Sequence, residues 1–135
     1  MSELSEFMLA RLDEAEAEFE RALVVEAECS GVPVDEVREY WLRPKGQGRD
    51  EVERAGTGWP RYLADIEAKR RIVELHTPFH VTTENDGLNW DYQGCGECSM
   101  PDGVEEGETW WPCETLRLLA LPYADHPDFD ERWSL

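Results

Sequence analysis

The Cys-x-x-Cys sequence at Cys95-Gly96-Glu97-Cys98 restricts the fold of this 135-residue chain more than any other feature. Two thiolates on one tight turn can take adjacent corners of a tetrahedron around a zinc ion, each about 2.3 Å from the metal. The same spacing occurs in redox enzymes, where the first cysteine opens a helix directly after a strand. Gly94 and Gly96 favour a metal-binding turn over that arrangement.

A third thiolate is available further along the chain. Fourteen residues separate Cys98 from Cys113, which follows Pro112 and directly precedes an apolar run from Thr115 to Leu121. If that run is a helix, Cys113 lies at its N-terminus, where the helix dipole favours an anionic sulfur. The spacing therefore predicts that Cys113 joins Cys95 and Cys98.

A histidine is the preferred fourth ligand. His76 closes the helix that precedes the Cys-x-x-Cys sequence, whereas His80 and Cys29 remain open as alternatives. Three cysteines and one histidine fill all four positions and leave none for water, which is typical of a structural zinc site. The competing interpretation is that the thiols are free residues of the core. We predict a structural Zn²⁺ site formed by His76, Cys95, Cys98 and Cys113.

The cysteine count also bears on the cellular compartment. No run reaches the roughly 18–20 apolar residues of a membrane span, and the first residues lack the pattern of a signal peptide. Four cysteines in a cytosolic chain are better explained as thiols or metal ligands than as a disulfide framework. We therefore expect a cytoplasmic protein that does not enter a membrane.

Apolar periodicity predicts a mainly α-helical fold with one β-hairpin. The first thirty residues have a buried stripe at steps of three and four residues, with Gly31 as a stop signal. A short helix at 32–41 and a long one from Trp59 to His76 follow, the latter ended by Pro78. Residues 79–83 and 88–92 alternate around an Asn-Asp-Gly turn, which is typical of a hairpin.

The chain length predicts a single domain over residues 1–135. Its parts are the N-terminal helix at 1–30, a mobile loop at 43–58, and a third section at 59–135 that contains the helix, the metal-binding turn, the short apolar helix and the tail. We expect a brief strand at 109–111 and a tail whose aromatic rings turn inward. Cys29 is expected to be a small core residue. Because the core is small, we expect a metal to add stability to the folded chain.

The charge of the chain is strongly acidic. There are 31 acidic and 13 basic residues, which gives a formal net charge of -18. Nucleic-acid binding is driven by Lys and Arg, so this balance argues against direct binding of DNA or RNA. The expected partner is a protein with a basic surface. Nine of the basic residues lie between Arg38 and Arg71, and we expect this basic segment to pair with the first helix. The composition leaves the oligomeric state open, a homodimer included.

No pattern typical of an enzyme occurs in the sequence. Phosphate-binding glycine loops, a nucleophile elbow and a His-Glu-x-x-His zinc helix are absent. A nuclease of the His-Asn-His type would need His80 with Asn85 or Asn89, and the acidic composition argues against it. We therefore predict a binding protein and no catalytic residues.

Three segments resemble domain-of-unknown-function family 6221, a family of small proteins of actinobacteria and their phages. The segments run from Phe7 to Leu12, from Glu67 to His76 and from Pro112 to Phe129, and the resemblance extends over about half of the chain. The resemblance implies that a histidine at the end of the central helix, a Cys-x-x-Cys and a later Pro-Cys occur together. It implies no activity, and phage members suggest a role directed at a host protein. The span from 24 to 58 departs from the family pattern.

The predicted function is that of a small acidic protein-interaction module stabilised by zinc, encoded by a phage and directed at a host protein. A DNA mimic that inhibits a nucleic-acid-binding protein is the main alternative, because aligned carboxylates can imitate phosphates. A nucleic-acid-processing enzyme is the third.

Overall fold

The computed structural model describes residues 2–43, 58–85, 88–98 and 111–135, and it gives only the backbone within 81–93. Most of the predicted loop at 43–58 lies outside these residues. The same holds for the predicted strand at 109–111, of which Trp111 alone is described and is not in a strand. These two predictions stay untested.

The described residues form four α-helices and a two-stranded hairpin, which confirms the mainly helical fold. The helices are α1 (Glu3–Ser30), α2 (Val34–Trp41), α3 (Trp59–Leu75) and α4 (Glu114–Ala120). Strands β1 (Pro78–Asn85) and β2 (Leu88–Cys95) pair antiparallel, with Pro78 opposite Cys95 and Asn85 opposite Leu88. Short 3-10 helices follow at Leu121–Tyr123 and Glu131–Trp133. Among the described helices, none has the length and apolar character needed to cross a bilayer.

Helix α1 begins and ends where its capping residues require. The Ser5 backbone N–H donates to the Ser2 side-chain oxygen at 3.1 Å, which satisfies one of the unpaired amides of the first turn. At the other end Gly31 has a φ of +70°, a left-handed conformation that glycine adopts without a steric penalty. Between these ends the helix buries Leu4, Met8, Leu12, Phe19 and Leu23 at the predicted spacing.

Contacts between Cα atoms divide the chain into two compact units. The first consists of Met1–Arg11 and Lys69–Leu135, and the second of Leu12–Ala68. Helices α1 and α3 each contribute residues to both units. The predicted single domain stays a prediction.

The core of the first unit contains two of the predicted metal ligands. Cys95 and Cys113 are buried in one cluster with apolar residues from α1, α3, α4 and the tail: Leu4, Phe7, Met8, Val73, Leu116, Ala120 and Trp133. Phe7 organises the tail, because its ring lies 5.1 Å from Trp133, 6.0 Å from Phe129 and 6.3 Å from Tyr123. The rings of the tail therefore do turn inward.

The apolar run from Thr115 to Leu121, which forms most of α4 and the first residue of the 3-10 helix after it, is only partly buried. Leu116 and Ala120 are fully buried, but Leu118 and Leu121 each expose about half of their surface, at 51%. A helix of seven residues presents only one narrow face to a core, so residues on its other side stay in contact with solvent.

The second unit has a core of its own between α1, α2 and the start of α3. Phe19, Leu23, Ala27 and Val37 are buried there. The Trp59 ring stacks on Trp41 with 5.7 Å between centroids and an interplanar angle of 11°. Arg38 on α2, the first residue of the basic segment, forms a 2.5 Å ion pair with Glu20 on α1. The pairing of the basic segment as a whole with the first helix stays a prediction.

Replacing Phe7 by alanine should destabilise the chain strongly. The substitution removes a buried ring that touches three aromatic rings of the tail, and losses at such sites are about 3–5 kcal/mol. The matched control is Val25→Ala on the same helix, which should change the free energy of unfolding by less than about 0.5 kcal/mol because Val25 is exposed. Urea unfolding followed by circular dichroism measures both values. Equal losses in the two variants would contradict the proposed role of Phe7.

Candidate metal centre

His76 is positioned by the end of α3. Helix α3 ends at Leu75, but the backbone N–H of His76 still donates to the Ile72 carbonyl at 3.1 Å and so continues the helical hydrogen bonds by one residue. Thr77 precedes Pro78 and is thereby driven toward extended backbone, so the chain leaves the helix at this point. The imidazole is half-buried.

Cys95 and Cys98 are positioned by the end of the hairpin. Cys95 is the last residue of β2 and is buried, and residues 96–98 form a turn that leaves Cys98 exposed. The Gly96 backbone N–H donates to the Thr77 carbonyl at 3.1 Å. This hydrogen bond holds the turn that carries Cys95 and Cys98 next to Thr77, the residue that follows His76.

Cys113 is positioned by the start of α4. It is the N-cap residue, with an extended backbone (φ -67°, ψ 156°), and its carbonyl accepts from the Arg117 N–H at 3.1 Å. The side chain is 5% exposed. As the sequence predicted, a buried sulfur lies at the N-terminus of the short apolar helix.

The structure brings the four predicted ligands together. The His76 Nδ1 atom lies 3.2 Å from the Cys95 sulfur, 3.4 Å from the Cys98 sulfur and 3.6 Å from the Cys113 sulfur. All four atoms lie within 4.8 Å of one another. In a tetrahedral zinc site, bonds of about 2.3 Å to sulfur and 2.0 Å to nitrogen place these ligands about 3.5 Å apart. The four residues can therefore hold a metal ion.

The electrostatics of the thiols also favour a cation. Burial raises the pKa of the Cys113 thiol from 9.0 to about 12; a backbone hydrogen bond at Leu116 opposes the shift, and the Cys95 and Cys98 thiols add to it. Three negative sulfurs this close together would repel one another in a partly buried cluster. A divalent cation among them removes that repulsion and stabilises the deprotonated form.

The alternative ligands lie elsewhere among the described residues. His80 is exposed on β1 and is not part of the group of four. Cys29 was expected to be a core residue, and this expectation is wrong: its thiol is exposed near the end of α1. Leu23 and Ala27 define the buried face of that helix, and Cys29 lies about 200° around the axis from Ala27.

One contact in this unit escaped the sequence analysis. Arg11 is 8% exposed, and its guanidinium lies 2.8 Å from Nδ1 and 2.6 Å from Nε2 of His126 in the tail. Asp128 lies 4.0 Å from the same guanidinium, and the ring of Phe7 lies 5.0 Å from its carbon. The spacing of Leu4, Phe7 and Arg11 could have shown that this arginine shares the buried face of α1.

A family model now accounts for the complete sequence. The model, described as a family of unknown function (DUF6221), matches residues 1–135. The chain belongs to this family. The match includes residues 24–58, which we expected to depart from the family pattern. The expectation that the family resemblance covers only about half of the chain is therefore wrong. No curated protein and no solved structure shows significant similarity to this family member.

Replacing a ligand cysteine should reduce both metal content and stability. We expect Cys95→Ser and Cys113→Ser to lower the free energy of unfolding by about 3 kcal/mol or more, which corresponds to roughly 10 °C in Tm for a chain of this size. The Cys29→Ser variant is the matched control, since its thiol is exposed outside the group of four. It should keep the metal content of the unmodified protein and its Tm within about 2 °C.

Differential scanning calorimetry and elemental analysis of the same samples measure both effects. Addition of a strong chelator should bring the unmodified protein to the Tm of the Cys113→Ser variant and should leave that variant unchanged. The same small change in all three cysteine variants would contradict a metal centre at these residues.

Proposed function

We propose that the chain is a small acidic binding protein whose fold is stabilised by a zinc ion at His76, Cys95, Cys98 and Cys113. The observation that carries this proposal is the convergence of one imidazole nitrogen and three sulfurs within 4.8 Å. Thiolate and imidazole ligands suit zinc, and they are unsuited to magnesium or calcium, which prefer oxygen.

A structural role follows from the number of ligands. Four protein ligands complete a tetrahedral zinc, whereas catalytic zinc keeps a position open for water or substrate. The four residues come from the end of α3, the end of β2 with its turn, and the start of α4. A bound ion supplies bonds that join these three places, and those bonds stabilise a unit whose apolar core is small.

The binding role rests on the charge of the exposed helical surface. Acidic residues cover the outward side of α1, where Asp13, Glu14, Glu16, Glu18 and Glu20 are all exposed. With a formal net charge of -18, the protein attracts basic surfaces and repels phosphate. The partner in this proposal is a protein with a basic surface, and the resemblance to phage proteins favours a protein of an actinobacterial host in the cytoplasm.

A DNA mimic is the second candidate. Asp13, Glu16 and Glu20 follow one another at three and four residues and are exposed, so they form a row of carboxylates along one side of α1, in which Glu20 is paired with Arg38. Such a row resembles the spaced negative charges of a nucleic-acid backbone. In this case the basic partner would itself be a DNA- or RNA-binding protein.

Capture of a partner from an actinobacterial lysate tests the binding role. The immobilised protein should retain a protein with a basic surface at about 0.1 M salt and release it near 0.5 M, because screening weakens surface charge interactions. Beads coated with polyglutamate are the control for ion exchange, and the Cys113→Ser variant is the control for a folded surface.

The identity of the captured protein separates the two candidates. A division or metabolic protein supports the adaptor, and a nucleic-acid-binding protein supports the mimic. If the protein retains nothing beyond what polyglutamate retains, the binding role is contradicted.

The absence of catalysis is also part of the proposal. Incubation with single- and double-stranded DNA and RNA in the presence of Mg²⁺, Mn²⁺, Ca²⁺ or Zn²⁺ should give no cleavage products on denaturing gels. The His80→Ala variant serves as the control for contamination, since a contaminating nuclease would cleave equally in both preparations. Cleavage that the unmodified protein shows and His80→Ala loses would contradict the proposal and would favour a nuclease.

A further inference from the structure

The second unit contains a groove between the last turns of α1 and helix α2. Its volume is about 590 Å³. The α1 side contributes Glu26 and Ser30, and the α2 side contributes Glu36, Val37 and Trp41. Among the described residues, those that line this groove lie within 26–43, and none of them is a ligand of the metal centre.

The bottom of the groove is apolar and already packed. Val37 is 6% exposed and belongs to the core of the second unit. Trp41 is half-buried and is held by its stack on Trp59. Val32 at the edge exposes 37% of its surface. A partner side chain that entered here would meet a preformed apolar surface and would order few residues on binding.

The edge of the groove is acidic. Glu26 and Glu36 are exposed on opposite helices, and Glu39 is exposed beside them. Within the part of the chain that the structure describes, Arg43 is the one basic residue that lines the groove. It lies 3.9 Å from Glu39, and its guanidinium carbon lies 5.6 Å from the centroid of the Tyr40 ring. Arg38 on the same helix is engaged by Glu20 and Asp35. Three carboxylates against one guanidinium leave the groove negative.

We propose that this groove binds a basic amphipathic segment of a partner protein. An apolar side chain of the segment packs on Val32 and Trp41, above the buried Val37, while lysine or arginine side chains on both sides of it pair with Glu26 and Glu36. The apolar contact supplies buried area, and the charge pairs supply orientation and a faster association rate. The inference rests on the proposed function, because it locates the surface that receives the basic partner.

A labelled model peptide tests this inference directly. The probe is a fluorescein-labelled 14-residue peptide of leucine and lysine at helical spacing, titrated at about 0.15 M NaCl and followed by fluorescence anisotropy. We expect Glu26→Gln/Glu36→Gln to weaken the Kd about fivefold, since two partly exposed charge pairs are lost. Val32→Ser should weaken it about threefold by removing an apolar contact.

The matched control is Glu74→Gln/Asp125→Asn, which removes the same charge from exposed positions of the first unit. It should change the Kd by less than twofold. A peptide of lysine alone should bind at least tenfold more weakly than the amphipathic peptide. Amide chemical-shift changes in ¹⁵N-labelled protein should concentrate at residues 26–43.

Other outcomes would overturn the inference. Equal losses in the two double variants, equal binding of the lysine peptide, or shift changes centred on residues 13–20 would show binding by general charge. The proposed function would survive that result, provided that the lysate experiment recovers a basic partner. If neither the peptide nor a lysate protein binds, the proposed function fails together with the inference.

Discussion

The first unit is built around three sulfurs that the fold brings together in a partly buried cluster. Cys95 and Cys113 belong to its apolar core, and the Cys98 thiol joins them from the solvent side. Burial raises the pKa of the Cys113 thiol and the neighbouring thiols add to the shift, so a thiolate at this position is unfavourable without a cation. A bound metal ion would compensate the negative charge of the thiolates, so that the same residues would stabilise the fold. Folding of the unit and metal binding are therefore one equilibrium in this account.

The elements that meet at the metal centre are defined by short-range signals, and this is why the sequence predicted them well. Pro78 limits the length of α3, the Asn-Asp-Gly sequence separates two alternating segments, and Pro112 precedes the cysteine that caps α4. Each signal acts on neighbouring residues only. The Cys-x-x-Cys spacing then restricted the ligand set to a few choices.

The choice between His76 and His80 needed information from distant residues. The two histidines stand on opposite sides of Pro78, and both are close in sequence to the hairpin. What brings His76 to the thiols is the bond from Gly96 to the Thr77 carbonyl, which joins residues nineteen positions apart. The Arg11–His126 contact is of the same kind, since its partners are separated by 115 positions. Periodicity within one helix could have corrected Cys29, but no local pattern identifies a contact across the chain.

Negative charge has two separate uses in this protein. Inside the first unit, deprotonation would concentrate it on sulfur, and thiolate ligands favour a soft or borderline metal. On the helices it is spread over exposed carboxylates, where it keeps the surface hydrated and, in the proposed function, attracts basic partners. The groove between α1 and α2 has both exposed carboxylates and an apolar surface. Charge alone would give little specificity for one partner, and the apolar surface adds to it.

X-ray absorption at the zinc edge is the measurement that tests the central claim most directly. The sample is protein purified without added metal, with its zinc content determined by elemental analysis. The account predicts one zinc per chain, with three sulfur atoms at about 2.3 Å and one nitrogen at about 2.0 Å. Folded protein that contains no metal, or a zinc surrounded by oxygen and nitrogen alone, would contradict it.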